Sequence, residues 1–70
     1  MRLDVFGKLV EAQFREGQWL VFYIGDEGKK RPAHDLVIPE DIAETELPKY
    51  LADLCHEWAR PGYKQVEIID

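Results

Sequence analysis

Thr45-Glu46-Leu47-Pro48-Lys49-Tyr50-Leu51-Ala52-Asp53-Leu54-Cys55-His56-Glu57-Trp58-Ala59-Arg60 is the stretch whose reading decides the fold. Leu47, Tyr50, Leu51, Leu54, Cys55 and Trp58 recur at the spacing of one stripe on a 3.6-residue period. Lys49, Asp53, His56, Glu57 and Arg60 fall between them and are expected in water. The spacing predicts one full-length helix from Thr45 to Arg60, with Thr45 as N-cap and Glu46 beside the positive end of the dipole. Pro48 fits there because a first-turn residue has no intrahelical N–H bond to lose. Pro61-Gly62 stops the helix, with His56 and Arg60 near its negative end.

The rest of the chain reads as a sheet built to cover that stripe. Arg2 to Phe14 is expected to be one long strand with an interruption, because Leu3 and Val5 share one parity while Val10, Ala12 and Phe14 share the other. Gly7 precedes the switch and could host a bulge. Glu16-Gly17 supplies a turn. Trp19-Leu20-Val21-Phe22-Tyr23-Ile24 is an unbroken apolar run, which suits a central strand.

Gly25-Asp26-Glu27-Gly28 is a second turn signal, and a third strand is expected from Lys29, limited by Pro32. Leu36-Val37-Ile38 is a short extended run closed by Pro39, and Glu40 to Glu44 suggest one helical turn. Tyr63 to Ile69 reads as a last strand with Val66 and Ile68 inward. The expected fold is α+β over residues 1–70 as a single domain. An antiparallel three-stranded meander packs one face on one long helix, and a C-terminal strand returns to an edge (β-β-β-α-β). A core this small would gain from self-association, so a homodimer is one expectation.

Composition limits the function. Cys55 is the one cysteine, so no intrachain disulfide forms and a reducing, cytoplasmic setting is expected. The N-terminus, with Asp4 close behind Met1, argues against a signal peptide, and no apolar window reaches the length of a membrane span. A formal net charge of −5 argues against nucleic acid and anionic lipid as partners.

His34-Asp35 with Cys55 and His56 is the set that suggests catalysis or a small-molecule site. A thiolate–imidazole pair needs a reachable sulfur of lowered pKa. Cys55 instead lies on the apolar stripe, and His56 points about 100° away from it around the helix. Metal ligands at close spacing are lacking, so no metal or cofactor is expected. Lys29-Lys30-Arg31 concentrates positive charge and could grip an acidic partner, or could simply protect a sheet edge. Trp19 and Tyr23 share one strand face, and Leu20, Phe22 and Ile24 share the other. A single helix covers one face, so the other needs a cover from the Pro32–Pro39 segment or from another chain.

Gly28-Lys29-Lys30-Arg31-Pro32-Ala33-His34-Asp35 and Leu54-Cys55-His56-Glu57-Trp58 give the chain its resemblance to a family of short uncharacterised bacterial proteins of about this length. That resemblance covers most of the chain and implies no activity. A weaker likeness, in Asp26-Glu27-Gly28 ahead of Pro32 and in Cys55 ahead of Trp58 and Arg60-Pro61, is to the MbtH-like proteins, small partners of adenylation domains in nonribosomal peptide synthesis. The tryptophan expected before Pro32 in that family is Arg31 here, and the Gly-Trp after Pro39 is lacking. The sequence thus points to a non-catalytic protein-interaction module, with Lys29, Lys30, Arg31, His34, Trp19 and Tyr23 as candidate binding residues.

Overall fold

Two residue pairs, Phe6-Gly7 and Glu16-Gly17, set the sheet. In the computed structural model, which describes residues 1–69, both pairs have positive φ at each position: 51° and 90° for the first, 52° and 76° for the second. That geometry closes two-residue hairpins whose twist matches the flanking strands. Strand β1 (Arg2–Val5) therefore turns back into β2 (Lys8–Arg15), and β2 into β3 (Gln18–Ile24). The expected single strand from Arg2 to Phe14 is two strands, and Gly7 forms a reverse turn rather than a bulge. The parity switch follows at once, because Leu3 pairs with Val10 across the hairpin and both face the core.

The Asp4 carboxylate accepts the Gly7 N–H at 2.6 Å, fixing the turn, and Phe6 takes the unfavourable left-handed conformation while its ring is buried. A Cβ at Gly7 would collide with the Tyr63 ring, so glycine serves both dihedral and close approach there.

Strand β4 (Lys30–Pro32) adds to β3 after a loop closed by the Gly25 N–H on the Lys29 carbonyl at 2.7 Å. Strand β5 (Val66–Ile68) returns to an edge of the sheet, antiparallel to β1. The five strands form one antiparallel sheet in the order β4-β3-β2-β1-β5. Four consecutive strands thus precede the helix, where three were expected. The last strand spans three residues, with Val66 half-buried opposite Val5 and Ile68 largely exposed.

The one α-helix among the described residues, α1 (Leu47–Leu54), is half as long as the spacing predicted. Glu44–Glu46 and His56–Trp58 flank it as 3₁₀ turns, and Cys55, at φ −107° and ψ 20°, leaves the α-helical geometry. The cap differs too: Glu46 accepts the Ala43 N–H at 3.0 Å, so Thr45 lies inside the first turn. Pro48 sits in the first turn of α1 as expected. Leu47, Leu51 and Cys55 are buried, Tyr50 and Trp58 are half-buried, and Leu54 is 42% exposed. The tighter final turn accounts for Trp58. At three residues per turn Trp58 aligns with Cys55 rather than with Leu54, so it swings toward β2 and β3.

The core joins Leu3, Val5, Val10, Ala12 and Val21 of the sheet to Leu47, Leu51 and Cys55. Alpha-helix α1 lies over β1 and β5. The segment 33–43 lies over β3, burying Ala33, Leu36 and Ile38. Leu51→Ala is expected to cost about 2–5 kcal/mol of unfolding free energy, as for other buried leucines. Leu54→Ala should cost less than about 1 kcal/mol. Urea unfolding of both variants checks the helix orientation, and equal losses would refute it.

Candidate functional site: the open face of the sheet

The aromatic residues singled out on β3 serve the fold. Trp19 is half-buried against the core, and its indole N–H donates to the Ile42 carbonyl at 2.9 Å. The Tyr23 hydroxyl donates to Asp35, with 2.8 Å to Oδ2 and 3.0 Å to Oδ1. Burial first, and then the Asp35 carboxylate, pushes the Tyr23 hydroxyl up to about 12, so it stays a donor. Tyr50 on α1 donates from its hydroxyl to the Val37 carbonyl at 3.1 Å. Three aromatic side chains thus tie the 33–43 segment down, and the Pro32–Pro39 stretch supplies the cover that the Trp19–Tyr23 face requires.

The suggested catalytic set separates. His34 is exposed, Asp35 is engaged by Tyr23, and His56 is exposed with Nδ1 3.2 Å from the Asp53 carbonyl. Cys55 is buried nearby, where desolvation and the Asp35 carboxylate raise its thiol pKa, only partly opposed by Lys8. That is the opposite of an activated thiolate. The Lys8 ammonium lies 4.5 Å from the Trp58 ring centroid and 5.2 Å from that of Tyr23, a cation–π contact that fixes the 3₁₀ turn against β2. Among the described residues no three His, Cys, Asp or Glu side chains come together to hold a metal ion. No helix among them is long and apolar enough to cross a membrane.

The basic triplet does not form one patch. Lys29 sits in the loop with its ammonium 3.9 Å from Glu27. Arg31 pairs with Tyr23 on the core-facing side, whereas Lys30 turns to the other face. There its ammonium is 2.6 Å from Glu11 Oε2.

That other face is where the structure gathers unsatisfied apolar surface. Among the described residues no element packs on it. Leu9, Leu20, Phe22 and Ile24 stand there half-buried, around a carboxylate at its centre. Glu11 is 7% exposed, wrapped by its neighbours' side chains. It accepts from Lys30 and, at 2.5 Å, from the Gln13 amide, while Arg2 Nε lies 3.6 Å from Oε1. The Lys30 and Gln13 hydrogen bonds hold its pKa down at about 2, against the opposing pull of desolvation. The network links β1, β2 and β4. Beside it a groove of about 370 Å³ runs between β3 and the following segment, lined by Leu20, Phe22, Pro32, His34 and Val37. Val37 is 71% exposed at its rim.

Sequence reasoning found the Leu20–Phe22–Ile24 parity and missed Glu11, Gln13 and Arg2. The available signal was a lone acid between Val10 and Ala12 in mid-strand, which burial tolerates only with partners.

Glu11→Gln tests the network. The folded carboxylate titrates near 2 against 4.5 when unfolded, so its stabilisation is complete above about pH 5 and fades as pH falls toward 2. Wild type is expected to be more stable than the variant at neutral pH, with the gap closing in acid. Urea midpoints across that range check this, and a gap independent of pH would contradict it. Cys55 should react with a thiol reagent at least about tenfold more slowly in the folded protein than in denaturant, measured by absorbance.

No curated protein and no solved structure matches this chain. A family model described as a domain of unknown function, DUF7661, matches residues 1–70, and the chain belongs to that family.

Proposed function

We propose that the chain is a non-catalytic protein-interaction module of the bacterial cytoplasm that docks through the open face of its sheet. The observation that carries this reading is the pairing of an uncovered apolar stripe, Leu20-Phe22-Ile24 with Leu9, and a central charge already neutralised within the chain. An unpaired buried carboxylate would oppose docking by several kcal/mol. Glu11 brings its own cation and amide, so a partner can bury it without supplying a counter-charge. His34 and Lys30 border the same surface and fit its polar rim. The raised thiol of the buried Cys55 supports a structural role for that residue, and a free cysteine fits a reducing compartment.

Capture from host lysate on immobilised protein tests the reading. A Leu20→Ser/Phe22→Ser variant, first shown folded by circular dichroism, is expected to lose at least tenfold in partner recovery, the effect of removing one hot-spot contact. A Lys29→Glu/Arg31→Glu variant, which leaves the open face intact, is expected to retain the partner. Loss through the second variant alone would move the site to the basic edge.

A further inference from the structure

We infer that the occupant of the open face is a second copy of this chain, packed sheet to sheet across a two-fold axis. The inference rests on the docking reading above and names its partner.

Charge is the first argument. The side chains of alternate parity that share the open face include Arg2, Arg15 and Lys30 on one side of the ledger and Asp4, Glu11 and Glu67 on the other. They cancel, whereas the whole chain carries −5. Among the described residues the excess negative charge therefore lies on the helix side and in the loops, away from this face. A surface evolved for a strongly basic or acidic partner would carry net charge of one sign. A neutral face bearing both signs complements itself, as an isologous interface requires. Two copies can then approach by the one face where their −5 charges do not oppose each other.

Geometry is the second argument. An axis running along β3 sets Phe22 of one copy against Phe22 of the other. It also lays each copy's β2 over the other's β4, because these strands flank β3 on opposite sides. Glu11 and Pro32 both pair with Phe22, so Glu11 of one copy falls opposite Pro32 of the other, with Lys30 two residues further along the facing strand. Face-to-face packing of this kind puts two sheets about 10 Å apart with interdigitating side chains, the arrangement of a sandwich core.

Size is the third. With strands about 4.8 Å apart and about 3.3 Å per residue, five strands of three to eight residues offer roughly 400 Å² of projected face per copy. Corrugation by side chains raises the accessible area, which places a pair of faces near the lower end of specific interfaces, about 1,200 Å². An interface of that size belongs with the weak, exchanging ones, so the expected dimer is a dynamic one.

Sedimentation equilibrium of the full chain over a range from about 1 μM to about 1 mM tests this. The expected result is a rise from the mass of one chain toward that of two, abolished over the same range by Leu20→Ser/Phe22→Ser. Leu54→Ser, on the opposite side of the molecule, should leave it unchanged. A wild type that stays monomeric throughout overturns the second-copy inference, as does a dimer that survives the open-face substitution or is lost through Leu54→Ser. The docking reading fails separately. If the wild type is monomeric yet the open-face variant loses a captured protein, the face docks a different chain and only the self-association falls.

Discussion

An eight-residue helix is about 12 Å long, and the strands it must cover run to eight residues, about 27 Å. That mismatch governs the molecule. Helix α1 covers the β1–β5 half of the sheet, and nothing regular is left for the β3 half. The chain fills the gap with segment 33–43, an irregular connection that must be held by other means. Leu36 and Ile38 anchor it by burial, and Trp19, Tyr23 and Tyr50 hold its backbone carbonyls and Asp35 by their polar tips. Aromatic residues suit this task because each combines a large apolar body with one donor. The same engagement removes Trp19 and Tyr23 from the surface available to a partner.

Helix α1 and segment 33–43 together cover one face of the five-stranded sheet. Among the described residues nothing packs on the opposite face, and its apolar stripe on β3 would make it adhesive toward any exposed strand or apolar surface. Glu11 tempers that tendency. A carboxylate buried among Leu9 and Phe22 is tolerable only with Lys30, Gln13 and Arg2 around it, and those partners spread polar atoms over three strands. The network also ties β4, which is three residues long and closed by a proline, to the strands at the other side of β3. A short edge strand with little backbone pairing of its own gains most from such a cross-sheet link.

Much of this was legible in the residues. The turn at Glu16-Gly17, the central apolar run from Trp19 to Ile24 and the core positions Leu47, Leu51 and Cys55 followed from period and turn chemistry. The hairpin at Phe6-Gly7 did not, because a large apolar residue at positive φ is rarely chosen for a turn. Tertiary burial of the Phe6 ring outweighs that local cost, and local rules do not register it. The helix end failed for a related reason. A 3.6-residue period continues smoothly through Cys55 to Trp58, but a 3₁₀ turn presents nearly the same set of residues at slightly different angles. The contact that selects it is the Lys8 ammonium against the Trp58 ring, a pairing across 50 residues of chain. The edge chosen by β5 was equally invisible, since short β-strands carry little register information beyond alternation.

The open face follows from the same logic carried one step further. Parity divides β3 into Trp19, Val21 and Tyr23 on one side and Leu20, Phe22 and Ile24 on the other, and both sets are apolar. Which set is covered depends on which one carries donors able to hold an irregular segment. Trp19 and Tyr23 have an N–H and an O–H to offer, whereas Leu20, Phe22 and Ile24 have none. A cover of loop backbone, rich in carbonyls that need donors, is therefore stable on the first face and costly on the second. The second face can be closed only by something that brings its own satisfied backbone, such as another sheet or a helix. The chemistry that folds the chain thus also specifies what kind of surface can complete it.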